Sequence, residues 1–358
     1  MIIKNKISDP LKELNSDLFT KFQETFTGLN HHSPSSALLP EGFFVFTRII
    51  CNQEDRRNFK INSNMKAGVA VNDIIQYVYA DTMWSFNPNQ KKLAPHKNIK
   101  LSKEAAIAKA METFKEYEPC DDKDREKKEH YLETIPQTAQ QAFNAFESIG
   151  VLNGKNIIAE DSINFQDDRL ALPQVGRSDL HFQTKIQSTD VNASERSVAA
   201  TSASYSDAMF LSICELKTSW ARPGKIKKCG NRSFSSPRLV ASPSRPHLHQ
   251  LSFYHHVLEG KHKLVYPFLI YAVADGFKVF TKDNCTDLEP GNLKNYYEQL
   301  IQKCIRIERL LARHIDLEEP EMVISEIIKD VDPGFDHPFY WNIGYEYLSR
   351  AKKIWSTK

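Results

Sequence analysis

The sequence predicts an α/β protein, and three patterns predict it. Apolar runs at 208–214 and 264–274 have the length and composition of buried strands. Apolar residues at helical spacing recur over 8–29, 101–118, 132–149 and 291–314. From Asn156 the periodicity changes to that of strands, with Ile157–Asp161, Leu170–Val175 and Asp179–Phe182 as candidates.

Composition narrows the class. The chain has 358 residues, 41% hydrophobic and 26% charged, enough for one large domain with additions. Its formal net charge is +2, so affinity for a polyanion has to come from local clusters of charge. Cys51, Cys120, Cys214, Cys229, Cys285 and Cys304 are scattered, which argues against a zinc ribbon, a disulfide framework or an iron–sulfur cluster. No stretch approaches membrane length and the first residues form no signal-length apolar run, so a cytoplasmic protein without membrane contact is expected.

The first helical pattern carries Leu11, Leu14, Leu18, Phe19, Phe22 and Phe26 on one side and stops at Gly28 and the polar turn 30–34. His31 and His32 in that turn read as solvated. Residues 42–51 are apolar and fit a strand or a buried helix equally well. A helix is expected over 62–81. Alanines favour the helix at 101–118, and Ala139, Ala142, Phe143 and Phe146 give the next one its stripe. The mixed-charge run 121–129 between them reads as a solvated connection or an exposed helix turn, and Glu147 as an exposed helix carboxylate.

The informative stretch follows the apolar run 208–214. Glu215 and Lys217 end it two residues apart and so project from one face of a strand. A buried strand does not end in a carboxylate and an ammonium on one side unless they have something to bind. Upstream, Gly176-Arg177-Ser178-Asp179 ends a weaker strand pattern. Downstream, Gln250 and Tyr254 lie one turn apart on a helix.

An Asp, then Glu-x-Lys-Thr-Ser, then Gln-x-x-x-Tyr resembles the PD-(D/E)xK nuclease superfamily, in its RecB-like exonuclease branch. The resemblance spans about Met65 to His314. It implies a restriction-endonuclease-like core: a central mixed sheet flanked by helices, here with N- and C-terminal helical additions. The expected division is an addition over 1–61, a core over 62–315 with an inserted loop at 187–207, and a helical tail over 316–358.

By the same resemblance, Asp179, Glu215 and the Leu216 carbonyl would hold Mg²⁺, with Mn²⁺ as a substitute. Lys217 would orient or activate water, and Gln250 and Tyr254 would position the strand. Glu160 is a candidate further acid. Asn72 stands where the family's first helix carries a histidine, which places a direct metal bond from that helix in question.

The segment between Trp220 and Gln250 carries Arg222, Lys225, Lys227, Lys228, Arg232, Arg238 and Arg245 with no acid among them. Prolines and glycines make it a loop, and its one-sign charge suits a phosphate backbone. His247, His249, His255, His256 and His262 are expected to add partial positive charge. The resemblance implies a DNA exonuclease acting on ends or single strands in recombination, repair or replication-linked processing. A helicase, recombination or single-strand-binding protein is the kind of partner it implies. The alternative is a catalytically degenerate nuclease fold that binds nucleic acid without cutting it.

Beyond this stretch, 264–274 and 277–280 pair across an Asp275-Gly276 turn. Residues 322–328 and the aromatic tail 339–348 read as packing helices.

Overall fold

The computed structural model describes residues 10–26, 29–59, 62–87, 92–185, 209–226, 232–262, 264–315, 320–336, 340–341 and 343–356. The inserted segment 187–207 lies outside the described residues. The main elements run α1 (Pro10–Thr25), α2 (Ser63–Tyr79), β1 (Thr82–Asn87), β2 (Lys92–Lys97), α3 (Lys103–Glu116), α4 (Asp122–Ser148), β3 (Lys155–Phe165), β4 (Gln174–Lys185) and β5 (Met209–Thr218). They continue with β6 (Arg222–Ile226), β7 (Arg232–Ser235), α5 (Arg245–Glu259), β8 (Val265–Val273), β9 (Gly276–Phe280), α6 (Pro290–Ala312), α7 (Pro320–Asp330) and α8 (Tyr345–Ser356).

The chain packs as two compact units. One comprises Ile61–Ile163 and Arg177–Asn295; the other comprises Met1–Lys60, Asn164–Gly176 and Tyr296–Lys358. The segments expected as separate N- and C-terminal additions therefore belong to one unit.

The protein is α/β with a seven-stranded mixed sheet in the order β2-β1-β3-β4-β5-β8-β9. β1 runs antiparallel to β2 and parallel to β3, β4 antiparallel to β5, β5 parallel to β8, and β8 antiparallel to β9. Helices α2, α3 and α4 bury their apolar stripes on one face, with Ile74, Phe114, Phe143 and Phe146 against Leu180, Phe182, Cys214, Leu216 and Ile270. Strand alternation turns Glu215, Lys217 and Tyr271 the other way, toward α5, which packs on β5 and β8.

Local chemistry starts the helices where the sequence predicts. The side chains of Asn62, Ser102 and Asp121 each accept a hydrogen bond from a backbone N–H in the first turn that follows. Of the two readings of the run 121–129, the helix turn is the one observed: Asp121 caps α4 and the charged residues form its first turns. The strand expected from Leu170 begins at Gln174, and the segment read as a loop after Trp220 holds the β6–β7 hairpin.

In the second unit, residues 42–50 are helical, a short α-turn over Glu41–Phe44 running into a π-helix over Val45–Ile50, and Cys51 ends it in extended conformation. The core there joins Phe22, Phe43 and Phe46 to Ile327, Trp341 and Trp355. Trp341 lies 5.1 Å edge-on to Phe43. The indoles of Trp341 and Trp355 donate to backbone carbonyls, so these tail aromatics are packing residues. His32, expected in solvent, is buried with its Nε2 3.0 Å from Glu308, whose carboxylate also accepts from the Ala171 and Leu172 N–H groups. A Cβ on Gly42 would overlap the Asp332 carbonyl and the Pro333 Cα. Gly42→Ala is expected to cost about 3 kcal/mol, by overpacking against backbone that cannot yield; chemical denaturation measures it.

No described helix is long and apolar enough to cross a membrane.

Candidate active site

The site forms where the β4–β5 ladder stops. Backbone pairing runs from Lys185↔Met209 to Leu180↔Cys214. Just past it, side chains replace the ladder. The Leu216 N–H donates to Asp179 Oδ2 at 2.7 Å, and the Asp179 N–H donates to Glu215 Oε1 at 3.3 Å. This reciprocal arrangement satisfies two backbone donors and holds both carboxyl groups side by side. The resemblance assigns Leu216 a role through its carbonyl; here its amide N–H also positions Asp179.

Lys217 joins from the same strand. Its Nζ lies 2.9 Å from Glu215 Oε2 and 3.1 Å from Gln250 Oε1. The Gln250 amide donates to Tyr254 Oη at 3.3 Å, and the Tyr254 hydroxyl donates to the Arg177 carbonyl at 2.6 Å. One chain of polar contacts thus runs from Glu215 through Lys217 and α5 back to β4. Tyr254→Phe would leave the Arg177 carbonyl without this donor and the Gln250–Tyr254 contact unmade, and is expected to cost about 1 kcal/mol in unfolding free energy, measured by chemical denaturation.

The other side is furnished by α2. Asn72 Nδ2 lies 3.2 Å from Glu160 Oε1 and 3.4 Å from Asp179 Oδ1, and Gln76 Nε2 donates to the same Glu160 oxygen at 2.9 Å. Gly68 lets α2 approach the end of β5 closely: a Cβ there would meet Thr218 Oγ1 at 3.1 Å. Glu160 sits in the left-handed region at φ 54°. That conformation costs a non-glycine residue about 1–3 kcal/mol and falls at the position that supplies the third acid.

The electrostatics follow from burial. Glu215 is fully buried, and burial followed by the Asp179 charge pushes its carboxyl up to about 8, against the pull of Lys217. Burial also raises Asp179, opposed first by Lys217 and then by the Leu216 N–H. Glu160 is raised by burial and then by Asp179. For Lys217, burial acts downward but Glu215 and Asp179 outweigh it, so the ammonium persists at neutral pH. Three acids and one held cation carry excess negative charge when all are ionised.

Sequence reasoning brings Asp179, Glu215, Lys217, Gln250, Tyr254, Asn72, Glu160 and Leu216 to one place, and the structure does the same. It misses Gln76, one helical turn after Asn72, although i,i+4 spacing marks it. Glu147 lies apart, taken up by Tyr79 and Lys103. The expectation that His247 and His255 add positive charge is corrected. Burial holds both below the ordinary histidine value, His247 at about 4 with Lys217 adding to the effect, so both are neutral at pH 7.

Of the basic segment, Arg222, Arg238 and Arg245 are exposed. Lys227 and Lys228, and the side chains of Lys225 and Arg232, lie outside the described residues. Among the described residues no set of three or more His, Cys, Asp or Glu converges as an ion site. The oxygen-rich pair Asp179/Glu215, with an adjacent main-chain carbonyl, is the donor set that suits a hard cation.

Comparison of the chain with protein-family models, with curated proteins and with solved structures finds no match.

Proposed function

We propose that this protein is a metal-dependent nuclease that hydrolyses DNA phosphodiester bonds, with the PD-(D/E)xK arrangement as its catalytic centre. The observation that carries the proposal is the set Asp179, Glu215 and Lys217 at the end of one ladder, with Glu215 fully buried and the other two half-buried, tied through Gln250 to Tyr254. Burying two adjacent carboxyl groups beside a lysine is costly for a fold unless the group has a ligand.

Asp179, Glu215 and the Leu216 carbonyl would hold the ion. Mg²⁺ in that position supplies charge neutralisation and lowers the pKa of water. The remaining work belongs to the chain. Lys217 is held as an ammonium, so it serves as a fixed donor that orients water and stabilises charge developing on the phosphate, not as a proton acceptor. Gln250 fixes the lysine, and Tyr254 fixes Gln250 against β4. Asn72 and Gln76 hold Glu160 toward Asp179. The exposed Arg222, Arg238 and Arg245 would meet the phosphate backbone without reading sequence. End-directed cutting and a role in recombination, repair or replication-linked processing follow the sequence resemblance.

Incubation of end-labelled single- and double-stranded DNA with Mg²⁺, Mn²⁺ or EDTA tests the proposal. Metal-dependent shortening supports it. Salt-sensitive binding without cutting, in either ion, supports the non-catalytic binding protein instead.

A further inference from the structure

The α5 side of the centre carries a group to which the mechanism gives no task. His247 lies three residues before Gln250 on α5, so the two side chains share a helix face. Gln250 reaches the Lys217 ammonium at 3.1 Å. His247 Nδ1 lies 2.7 Å from Tyr271 Oη, with the ring centroids 5.6 Å apart. Tyr271 is the partner of Lys217 in the β5–β8 ladder, so its side chain stands beside the lysine on the same face of the sheet. The contacts close a loop, from Lys217 through Gln250, His247 and Tyr271 back to Lys217.

Donors and acceptors in this loop fix the imidazole. The buried Tyr271 hydroxyl accepts from the Ser244 N–H at 3.2 Å, and its own proton goes to the nearest acceptor, His247 Nδ1. With Nδ1 accepting, the neutral ring carries its proton on Nε2. Burial, and then the Lys217 charge, keep the ring neutral at pH 7. Nε2 has no partner among the described residues, and it is not sealed from solvent. Lys217 has a donor left as well: an ammonium has three, and Glu215 and Gln250 take two. A phosphate suits this pair. Its oxygens accept hydrogen bonds, the ammonium attracts its charge, and the imidazole N–H adds a directed contact.

We propose that His247 is a catalytic residue whose Nε2–H donates to a non-bridging oxygen of the scissile phosphate, beside the third N–H of Lys217. The role rests on the nuclease reading of Asp179, Glu215 and Lys217. Tyr271 is then a positioning residue, which holds the tautomer that puts the proton on Nε2. His247 takes up no proton here; it stabilises charge on the phosphate oxygen as water attacks phosphorus.

The test is single-turnover shortening of end-labelled single-stranded DNA by the full chain in Mg²⁺, with Mn²⁺ uptake measured alongside. His247→Ala is expected to lower the rate about 100-fold and leave ion uptake unchanged. At about pH 8.5, where free imidazoles are neutral, added imidazole is expected to restore about tenfold of that loss. Added 1-methylimidazole accepts a hydrogen bond but has none to give, and is expected to restore nothing. Tyr271→Phe is the milder variant: it keeps the ring edge-on to Phe280 and deletes the hydroxyl. Its rate is expected to fall about fivefold, again with ion uptake unchanged.

Wild-type rates in both variants overturn the role of His247 and leave the nuclease reading standing. A loss in His247→Ala that imidazole restores no better than 1-methylimidazole does the same, since the missing group is then not an N–H donor. Loss of Mn²⁺ uptake in either variant also overturns it, by making the residue a support of the ion site. A wild type that shortens no strand overturns the nuclease reading and this role with it.

Discussion

Lys217→Ala is expected to lower the rate of metal-dependent strand shortening about 10³-fold or more while leaving DNA affinity within a few-fold of wild type. The ammonium is half-buried, anchored at Glu215 and Gln250, and held protonated by the acids around it. A fixed charge of this kind is worth most when charge develops on the substrate, because no solvent has to reorganise around it. Single-turnover cleavage with the labelled strand in hand separates that effect from binding. Lys217→Arg is expected to recover little, since the planar guanidinium cannot occupy the point between Glu215 and Gln250. A loss confined to affinity, with the rate of the bound complex unchanged, would make Lys217 a phosphate anchor and no more.

The second large effect concerns Glu215. Its carboxyl is raised from 4.5 to about 8, by burial and then by Asp179. The folded chain therefore holds this proton more tightly than the unfolded chain does. The resulting stabilisation is fully present below pH 4.5 and is lost as pH rises through about 8. Glu215→Gln mimics the protonated form at every pH. The variant and the wild type should melt together near pH 4.5, and by pH 8.5 the variant should melt about 3–5 °C higher in EDTA. The same proton must leave before an ion can bind, so wild-type affinity for Mn²⁺ should climb with pH and level off above about 8. In Glu215→Gln that climb should vanish along with catalysis. A variant less stable than wild type at pH 8.5 would contradict the assignment of Glu215 as a costly buried acid.

How much of this was legible in the sequence depends on the signal each part leaves. β5 was readable because a continuous apolar run ends in Glu215 and Lys217, a local pattern that burial alone does not produce. α5 was readable because Gln250 and Tyr254 repeat at helical spacing. The β1–β2 hairpin left no such signal: β2 carries no apolar run, and Phe86 on β1 is 62% exposed. Prolines and glycines hid the β6–β7 hairpin, which stands outside the main sheet. The left-handed Glu160 is invisible in a sequence, because a positive φ in mid-strand is imposed by tertiary packing on a residue with no preference for it. The neutrality of His247 and His255 is hidden from the sequence for a related reason. Charge can be counted along a chain, but burial that removes it cannot. The joining of the first and last segments into one unit is a long-range pairing that one sequence does not encode locally.

On the proposed function, Asp179, Glu215 and Lys217 form one ion-dependent hydrolytic centre. It is tested most directly by titrating Mn²⁺ into wild type and Asp179→Asn with end-labelled single strand present. Ion uptake is followed by the loss of the free Mn²⁺ resonance, and strand shortening is followed in the same samples. Uptake and shortening should rise together in the wild type, and both should be absent from Asp179→Asn over that range. Shortening that persists in Asp179→Asn, or a wild type that takes up no ion and leaves the strand intact, would contradict it.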